Sequence, residues 1–378
     1  MSKYFSNLLS SIKPYTPGEQ PDTNSKYIKL NTNESPFPPR EEIVRKAEQI
    51  VRSYNLYSDP SLTMLRESIG KCCGVEKECI TCSNGSDELL LFSFLAFGDR
   101  EKGIVSSDIT YSFYSTLTAL LNIPLSEVQL DESFKIQIEE LKRREGTIVI
   151  ANPNAPTGIA LKRDEIESLV SSNQNRIVIV DEAYVDFGGE SSISLTKKYP
   201  NLVVIKTFSK SLSLAGLRLG YAISNEELIN DIERVRTSIN PYNINSFSLT
   251  VGSLVIQDKD YNEKNIKTII QNRENTSKSL KELGFDVLDS SSNFLFISHK
   301  KLNGDELYQK LKQRGVLIRH FDKDRIKNWN RVSIGKKEDM DEFIRLTKEI
   351  LDEKKWEKKN DKRNRCFCFF KFGWYWWV

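Results

Sequence analysis

Histidine is scarce: His299 and His320 are the only two among 378 residues. Neither sits in a motif that would make it the base of a nucleophile triad, so triad hydrolysis is disfavoured. No Gly-x-Gly-x-x-Gly run follows an early strand, which counts against a nucleotide-binding oxidoreductase. An excess of charge of one sign is also missing. Lys and Arg number 55 against 52 Asp and Glu, a net +3 spread along most of the chain, and nucleic acid is not the expected partner. Six cysteines are present, but Cys72 and Cys73 are adjacent, and Cys79 and Cys82 lack a matching Cys or His pair at zinc-site spacing. No metal is expected, and Cys82 reads as a small buried hydrophobe. Met1–Ser11 is short and polar without the apolar core of a signal peptide, so a cytoplasmic location with free thiols is the expectation. No long apolar run spans a bilayer. The charge run Lys354–Arg365 leads into the aromatic Cys366–Val378, which is short of the roughly 20 apolar residues a span needs. An interfacial anchor is one reading of this tail; an extension outside the folded body is preferred, and no membrane partner is expected. A non-catalytic, membrane-associated binding protein is the reading that the tail alone would suggest.

The length suggests two domains. Thr147–Ala151, Arg176–Val180 and Leu202–Lys206 are β-branched runs without polar alternation. Such runs fit strands buried on both faces, hence a mostly parallel sheet covered by helices. Gly103–Ser106 and Pro124–Leu130 look like further strands flanking a helical stretch, Tyr111–Asn122, and Arg163–Ser172 has helical composition. After about Val251 the rhythm changes. A charged helix over Tyr261–Leu283 precedes strands at Phe285–Leu288, Asn293–Ser298, Val316–Arg319 and Arg331–Ile334. Helices are expected at Gly304–Gln313 and from the last strand to about Lys355. The fold class is α/β: a large domain with a mostly parallel sheet plus a smaller α+β domain. The expected divisions are 1–45, an N-terminal arm joining the small domain; 46–250, the large domain; 251–353, the small domain; and 354–378, the tail.

Three successive strands end in polar loops: Asn152-Pro153-Asn154-Ala155-Pro156-Thr157-Gly158, then Asp181-Glu182-Ala183-Tyr184, then Thr207-Phe208-Ser209-Lys210. Each alone is ordinary turn chemistry. Together they deliver Asn, Asp with Tyr, and Lys to the carboxyl ends of strands, where open α/β sheets bind ligands. A lysine, a carboxylate and a phosphate cradle describe pyridoxal phosphate (PLP) chemistry. The lysine forms a Schiff base, and the carboxylate keeps the pyridine nitrogen protonated so that the ring is an electron sink. Asn84-Gly85-Ser86-Asp87-Glu88 before the apolar helical run Leu89–Phe97 offers a helix N-terminus for the phosphate. Thr207, Ser209 and Arg218 can add hydroxyls and a guanidinium.

These stretches, with Lys13–Gly18, Leu30–Pro36, Tyr57–Pro60, Leu214–Tyr221, Pro241–Asn245, Gly315–Arg319 and Arg331–Gly335, resemble the histidinol-phosphate aminotransferases, a branch of the fold-type-I PLP aminotransferases. The resemblance implies that Lys210 carries the cofactor and shuttles the proton, and that Asp181 pairs with the ring nitrogen. It implies that Asn152 and Tyr184 bond the ring oxygen and that Tyr111 stacks on the ring. Ser86, Asp87, Thr207, Ser209 and Arg218 would hold the phosphate, with Tyr57 reaching it from the other subunit of a homodimer. Tyr15, Arg319 and Arg331 would meet the substrate's anionic end. Three departures stand out: Ala155 replaces a second Asn, Ser35 an Asn, and Ile109 a Pro. The implied reaction is ping-pong amino transfer between histidinol phosphate and imidazole acetol phosphate on one side, glutamate and 2-oxoglutarate on the other. It belongs to histidine biosynthesis. An aromatic-amino-acid aminotransferase and a threonine-phosphate decarboxylase share the frame and remain alternatives.

Overall fold

The apolar runs form strands as their pattern predicts. The computed structural model describes residues 2–6, 9, 12–21 and 26–371, without the side chains of 51, 53 and 357–371. Thirteen strands follow in chain order: β1 Ile28–Lys29, β2 Ile80–Ser83, β3 Ile104–Ser107, β4 Leu125–Val128, β5 Thr147–Ala151, β6 Val178–Asp181, β7 Leu202–Thr207, β8 Gly220–Ile223, β9 Asp286–Val287, β10 Phe294–Ser298, β11 Val316–Leu317, β12 Arg319–His320 and β13 Trp329–Ser333. Seven of them make one sheet in the order β2-β8-β7-β6-β5-β3-β4. Only β8 runs against the rest.

Side-chain alternation explains why the central strands lack polar positions. Val149, Ala151, Ile179, Val203 and Ile205 face a core shared with the helices Ser86–Phe97, Phe113–Leu121 and Glu226–Ile239. Ile148, Ile150, Val178, Val180, Leu202 and Val204 face the opposite core, closed by Ile166, Leu169 and Val170 of the helix Arg163–Ser171. Both faces are covered, so both parities must be apolar.

The smaller sheet has the order β12-β13-β10-β9 and is antiparallel. Leu295, Ile297 and Val332 pack there with Ile269 and Leu280 of the long helix Lys259–Glu282 and with Met340, Phe343 and Ile350 of the last helix. Leu30 of the N-terminal arm enters this same core. A fourth cluster joins the two sheets: Leu130 and Phe134 pack against Phe296 and Ile326. The Arg325–Asp108 ion pair at 2.8 Å reinforces that junction.

Four expectations need correction. The strand expected over Val316–Arg319 is split between two sheets. β11 pairs in parallel with β1, Ile28 opposite Val316, while β12 pairs with β13, Arg319 opposite Arg331. The arm supplies a two-residue edge that a local pattern cannot announce. The division at 45/46 would cut the helix Glu41–Glu48, whose Ile43 and Ala47 join the large-sheet side. The division at 250/251 would cut the helix Ser246–Gln257, whose Val251, Val255 and Ile256 pack with Phe208 and Leu219. We propose divisions near Arg40 and Asp258 instead. Finally, the last helix runs over Lys337–Lys371, so the charge run from Lys354 continues it rather than leaving it. The expected aromatic tail falls partly on residues 372–378, which lie outside the described residues. Among the described residues no helix is long and apolar enough to cross a membrane.

One contact between the sheet and a helix start is tight enough to test. A Cβ on Gly220, first residue of β8, would stand 2.5 Å from the backbone N of Ser86 and 2.7 Å from the carbonyl carbon of Gly85. Neither is a flexible side chain, so the backbone must move. Gly220→Ala should cost roughly 1–3 kcal/mol, as overpacking does. Thermal melting should show a loss of a few degrees; an unchanged Tm would mean the close approach is not required.

Candidate active site

The sheet brings several strand ends to one edge. β2, β5, β6 and β7 end there, and β8 begins there, with Thr207 and Ser83 both opposite Gly220. The loops leaving this edge meet β12 and β13 across a pocket of about 300 Å³. Tyr15, Ser86, Asp87, Tyr111, Asp181, Tyr184, Thr207, Ser209, Lys210, Arg218, Arg319 and Arg331 all line it. Of the residues singled out in the sequence, Asn152 and Tyr57 do not.

Asp181 is the last residue of β6 and 4 % exposed. It accepts hydrogen bonds from the Tyr114 hydroxyl at 3.0 Å and the Ala183 N–H at 3.2 Å. Burial pushes its carboxyl up to about 6, against the pull of those two donors. No cationic side chain of the described residues pairs with it. A protonated pyridine nitrogen would supply the missing charge, so the site fits the cofactor that the sequence suggests. Tyr114 was missed in the sequence: it lies in the expected helix, where a tyrosine reads as packing.

Lys210 follows β7 on a loop held from beneath. Asp186 accepts from Lys206 Nζ at 2.6 Å and from the Ser211 hydroxyl at 2.5 Å, gripping the segment on either side of Lys210. Lys210 Nζ donates to the Thr32 carbonyl at 3.2 Å and lies 5.6 Å from the Tyr184 ring centre.

Ser86, Asp87, Thr207, Ser209 and Arg218, expected at a phosphate, lie on one wall of the pocket. The helix Ser86–Phe97 starts at the pocket, and Gly85 sits at φ +93. A Cβ there would come within 2.6 Å of the Arg218 guanidinium. Arg218 donates to Ser209 Oγ at 3.3 Å, and Thr207 Oγ1 donates to Ser209 Oγ at 3.1 Å. The Asp87 carboxylate is engaged by Arg218 at 3.2 Å and by the Tyr111 hydroxyl at 3.0 Å. A carboxylate repels an anion, so Asp87 can serve a phosphate only through its backbone N–H, while its side chain orients Arg218 and Tyr111.

Asn152 must be corrected. It is fully buried, its Oδ1 accepts from Leu161 N–H at 2.7 Å and its Nδ2 donates to the Leu161 carbonyl at 3.3 Å. Its carboxamide closes the base of the loop and is spent there. Ala155 and Pro156 of the same loop line the pocket instead. Ala155 offers no polar group, so Tyr184 alone remains of the two side chains expected at a ring oxygen.

At the other end stand two guanidiniums. Arg319 and Arg331 face each other across β12 and β13. Arg319 donates to the carbonyls of Thr16 and Pro17, each at 3.2 Å, and Arg331 to that of Asn31 at 3.0 Å. Phe321 lies 5.6 Å from one guanidinium and 5.8 Å from the other. Among the described residues neither arginine has a carboxylate partner, and Arg331 Nε is buried without any hydrogen bond. Burial disfavours the Arg331 charge, opposed by Tyr184 and Tyr15. Forked guanidinium donors of this kind match a carboxylate or a phosphate. Tyr15 borders it, edge-on to Tyr111 at 6.0 Å.

Tyr57 lies elsewhere. It is 83 % exposed and stacks on Tyr242 with ring centres 4.5 Å apart. The two border a second hollow that also reaches Arg218. His299 and His320 border neither hollow.

A mostly parallel sheet whose strand ends carry a lysine, a buried unpaired carboxylate and a hydroxyl-lined cradle into one pocket is the frame of a fold-type-I transferase. The sequence pattern of aminotransferase class I and II matches residues 25–346. Histidinol-phosphate aminotransferase of Brachyspira hyodysenteriae is 47% identical over 354 residues, 93% of this chain and 99% of that protein. The enzyme of that name from Clostridium botulinum is 44% identical over 353 residues, again 93% and 99%. In structure, the chain is similar to the histidinol-phosphate aminotransferase of Sinorhizobium meliloti solved with pyridoxal-5'-phosphate, with a TM-score of 0.84 at 20% identity over 93% of this chain and 99% of that one. This chain belongs to the class I and II aminotransferases and, within them, to the histidinol-phosphate aminotransferase family.

The lone Asp181 carboxylate gives a pH test on the cofactor-free protein. Its folded-state value near 6 exceeds the ordinary carboxylate value, so the folded form holds a proton that the unfolded chain has released. The contribution to stability is therefore full below about pH 4 and lost as pH rises through 6. Asp181→Asn cannot ionise and escapes that loss. Cofactor-free Asp181→Asn should melt higher than wild type at pH 8, by at most about 3 kcal/mol of stability, and the gap should narrow toward pH 5. A gap that does not change with pH would show that Asp181 is not strained by its burial.

Proposed function

We propose that this enzyme transfers an amino group between histidinol phosphate with imidazole acetol phosphate and glutamate with 2-oxoglutarate, using PLP, as a cytoplasmic homodimer in histidine biosynthesis. The observation that carries the substrate reading is the guanidinium pair, without a carboxylate partner among the described residues, in the same pocket as Lys210 and Asp181. Glutamate ends in a carboxylate and histidinol phosphate in a phosphate ester. Forked guanidinium donors match both anions, so one pocket can serve both halves of a ping-pong cycle.

PLP supplies an electron sink for the charge left when the donor's carbon loses its proton. The chain's own residues do the rest. Lys210 Nζ would hold the cofactor and, once released from it, would carry the proton from the donor's amine-bearing carbon. Asp181 would compensate the ring nitrogen's positive charge, and Tyr184 would donate to the ring oxygen. Tyr111 would pack on the ring. Thr207, Ser209, Arg218 and the helix start at Ser86 and Asp87 would hold the phosphate. Arg319, Arg331 and Tyr15 hold the substrate's anionic end.

The guanidinium pair should be tested with histidinol phosphate against histidinol. Wild type should strongly prefer the phosphate. Arg319→Ala and Arg331→Ala should each lower kcat/KM at least about tenfold, the cost of stripping a buried charge contact being roughly 2–5 kcal/mol. Arg319→Ala should also shrink the preference with PLP still bound. If the ratio stays unchanged in both variants, the phosphate is read elsewhere and the substrate reading fails.

The dimer is supported by an exposed aromatic surface: Tyr54, Leu56, Tyr57 and Tyr242 are all exposed and border the hollow behind Arg218. A patch of this kind suits an interface, and a two-fold one would bring Tyr57 to its neighbour's Arg218. Subunits carrying Tyr57→Phe, mixed with subunits carrying Lys210→Ala, decide it. If Tyr57 acts across the interface, the heterodimer has one intact site and gains activity above either parent. Action within one chain leaves a defect in every site and gives no gain.

A further inference from the structure

We propose that Asn33 is a positioning residue for this reaction: its carboxamide fixes the Tyr184 hydroxyl so that the hydroxyl proton can go only into the pocket. Asn33 is 1 % exposed and belongs to the N-terminal arm, far in sequence from every strand-end loop. Its N–H donates to Ser333 Oγ at 2.8 Å, and the Ser333 hydroxyl donates back to Asn33 Oδ1 at 2.8 Å. Asn293 Nδ2 donates to its carbonyl at 3.0 Å. Those three bonds pin the residue, with Oδ1 turned to the Ser333 hydroxyl. Its Nδ2 is then the free end, and it donates to the Tyr184 hydroxyl oxygen at 3.0 Å.

The direction of that bond matters. An amide NH₂ has no lone pair to offer, so Tyr184 is the acceptor and cannot spend its own proton on Asn33. The proton is left for the pocket, and accepting one bond makes the hydroxyl a stronger donor of the next. Asn152, the other side chain expected at the ring oxygen, is engaged with Leu161, so the whole load falls on Tyr184. The inference rests on the reading above in which Tyr184 donates to the cofactor's ring oxygen. Ser333, which anchors Asn33, lies two residues beyond Arg331 on β13. The anion-binding strand and the ring-oxygen donor are thus tied to one arm residue.

Asn33 has φ +56, a conformation that Asn and Asp adopt more readily than alanine. Asn33→Asp therefore keeps the backbone and shape but replaces the NH₂ donor by an acceptor, which draws the Tyr184 proton away from the pocket. The readout is the pH midpoint of the holoenzyme's visible absorption band, with PLP affinity and the Tm of the cofactor-free protein measured alongside. A donor at the ring oxygen favours the high-pH form, in which that oxygen carries full negative charge, so weakening the donor moves the midpoint up. Tyr184→Phe is the reference, and if it leaves the midpoint in place the ring-oxygen reading itself falls. Given a shift there, Asn33→Asp should move the midpoint in the same direction by about one pH unit. The double variant should go no further than Tyr184→Phe alone. No shift in Asn33→Asp, or shifts that add in the double variant, would overturn the proposal. If Asn33→Asp does not fold, Ser333→Ala loosens the same carboxamide and should give a smaller upward shift; its absence would count equally against Asn33.

Discussion

Asp181 ends a strand whose neighbours are apolar on both faces, and among the described residues it has hydroxyl and amide partners but no cation. Burying a carboxylate in that way is unfavourable unless a positive group arrives, and the rest of the site is arranged around the arrival. The strand order puts β5 and β7 on either side of β6, so the loops carrying Ala155 and Lys210 must emerge beside Asp181. Reversed β8 begins where β7 ends, which brings Arg218 back to the same edge. The Ser86 helix start is pressed against Gly220 from the other side. Sheet topology thus forces a lysine, a guanidinium and free N–H groups around a carboxylate that needs them.

The second half of the pocket depends on the N-terminal arm. Three consecutive arm residues each touch a different functional group: the Asn31 carbonyl meets Arg331, the Thr32 carbonyl meets Lys210, and Asn33 meets Tyr184. The arm is held by β1 against β11 and by Leu30 in the small core. It therefore belongs mechanically to the smaller sheet's side while reaching Lys210 and Tyr184.

The large sheet was legible because burial on both faces writes itself into composition: TIVIA and LVVIK allow few other readings, and their polar ends mark the ligand edge. The antiparallel edge between Arg319 and Arg331 was also legible as residues, though not as a pairing. Two things misled. Asn152 and Ala155 lie in one loop, and composition favours the polar one as the site residue. The loop's geometry spends Asn152 on Leu161 and turns Ala155 to the pocket. Helices crossing the expected divisions at 45/46 and 250/251 were hidden because helix packing, not local pattern, decides which sheet they serve.

What the sequence by itself determined is the set of chemical groups, their order along the chain, and the α/β sheet that carries them, since these follow from residue type and short-range periodicity. The tertiary structure alone decided which oxygen or nitrogen each group presents to the pocket. Asp87 turns its carboxylate to Arg218 and Tyr111, Tyr114 stands beneath Asp181, and Asn33 reaches Tyr184 across a separation of 151 residues. Hydrogen-bond direction depends on distances of about 3 Å between chain segments remote in sequence, and no local pattern encodes those.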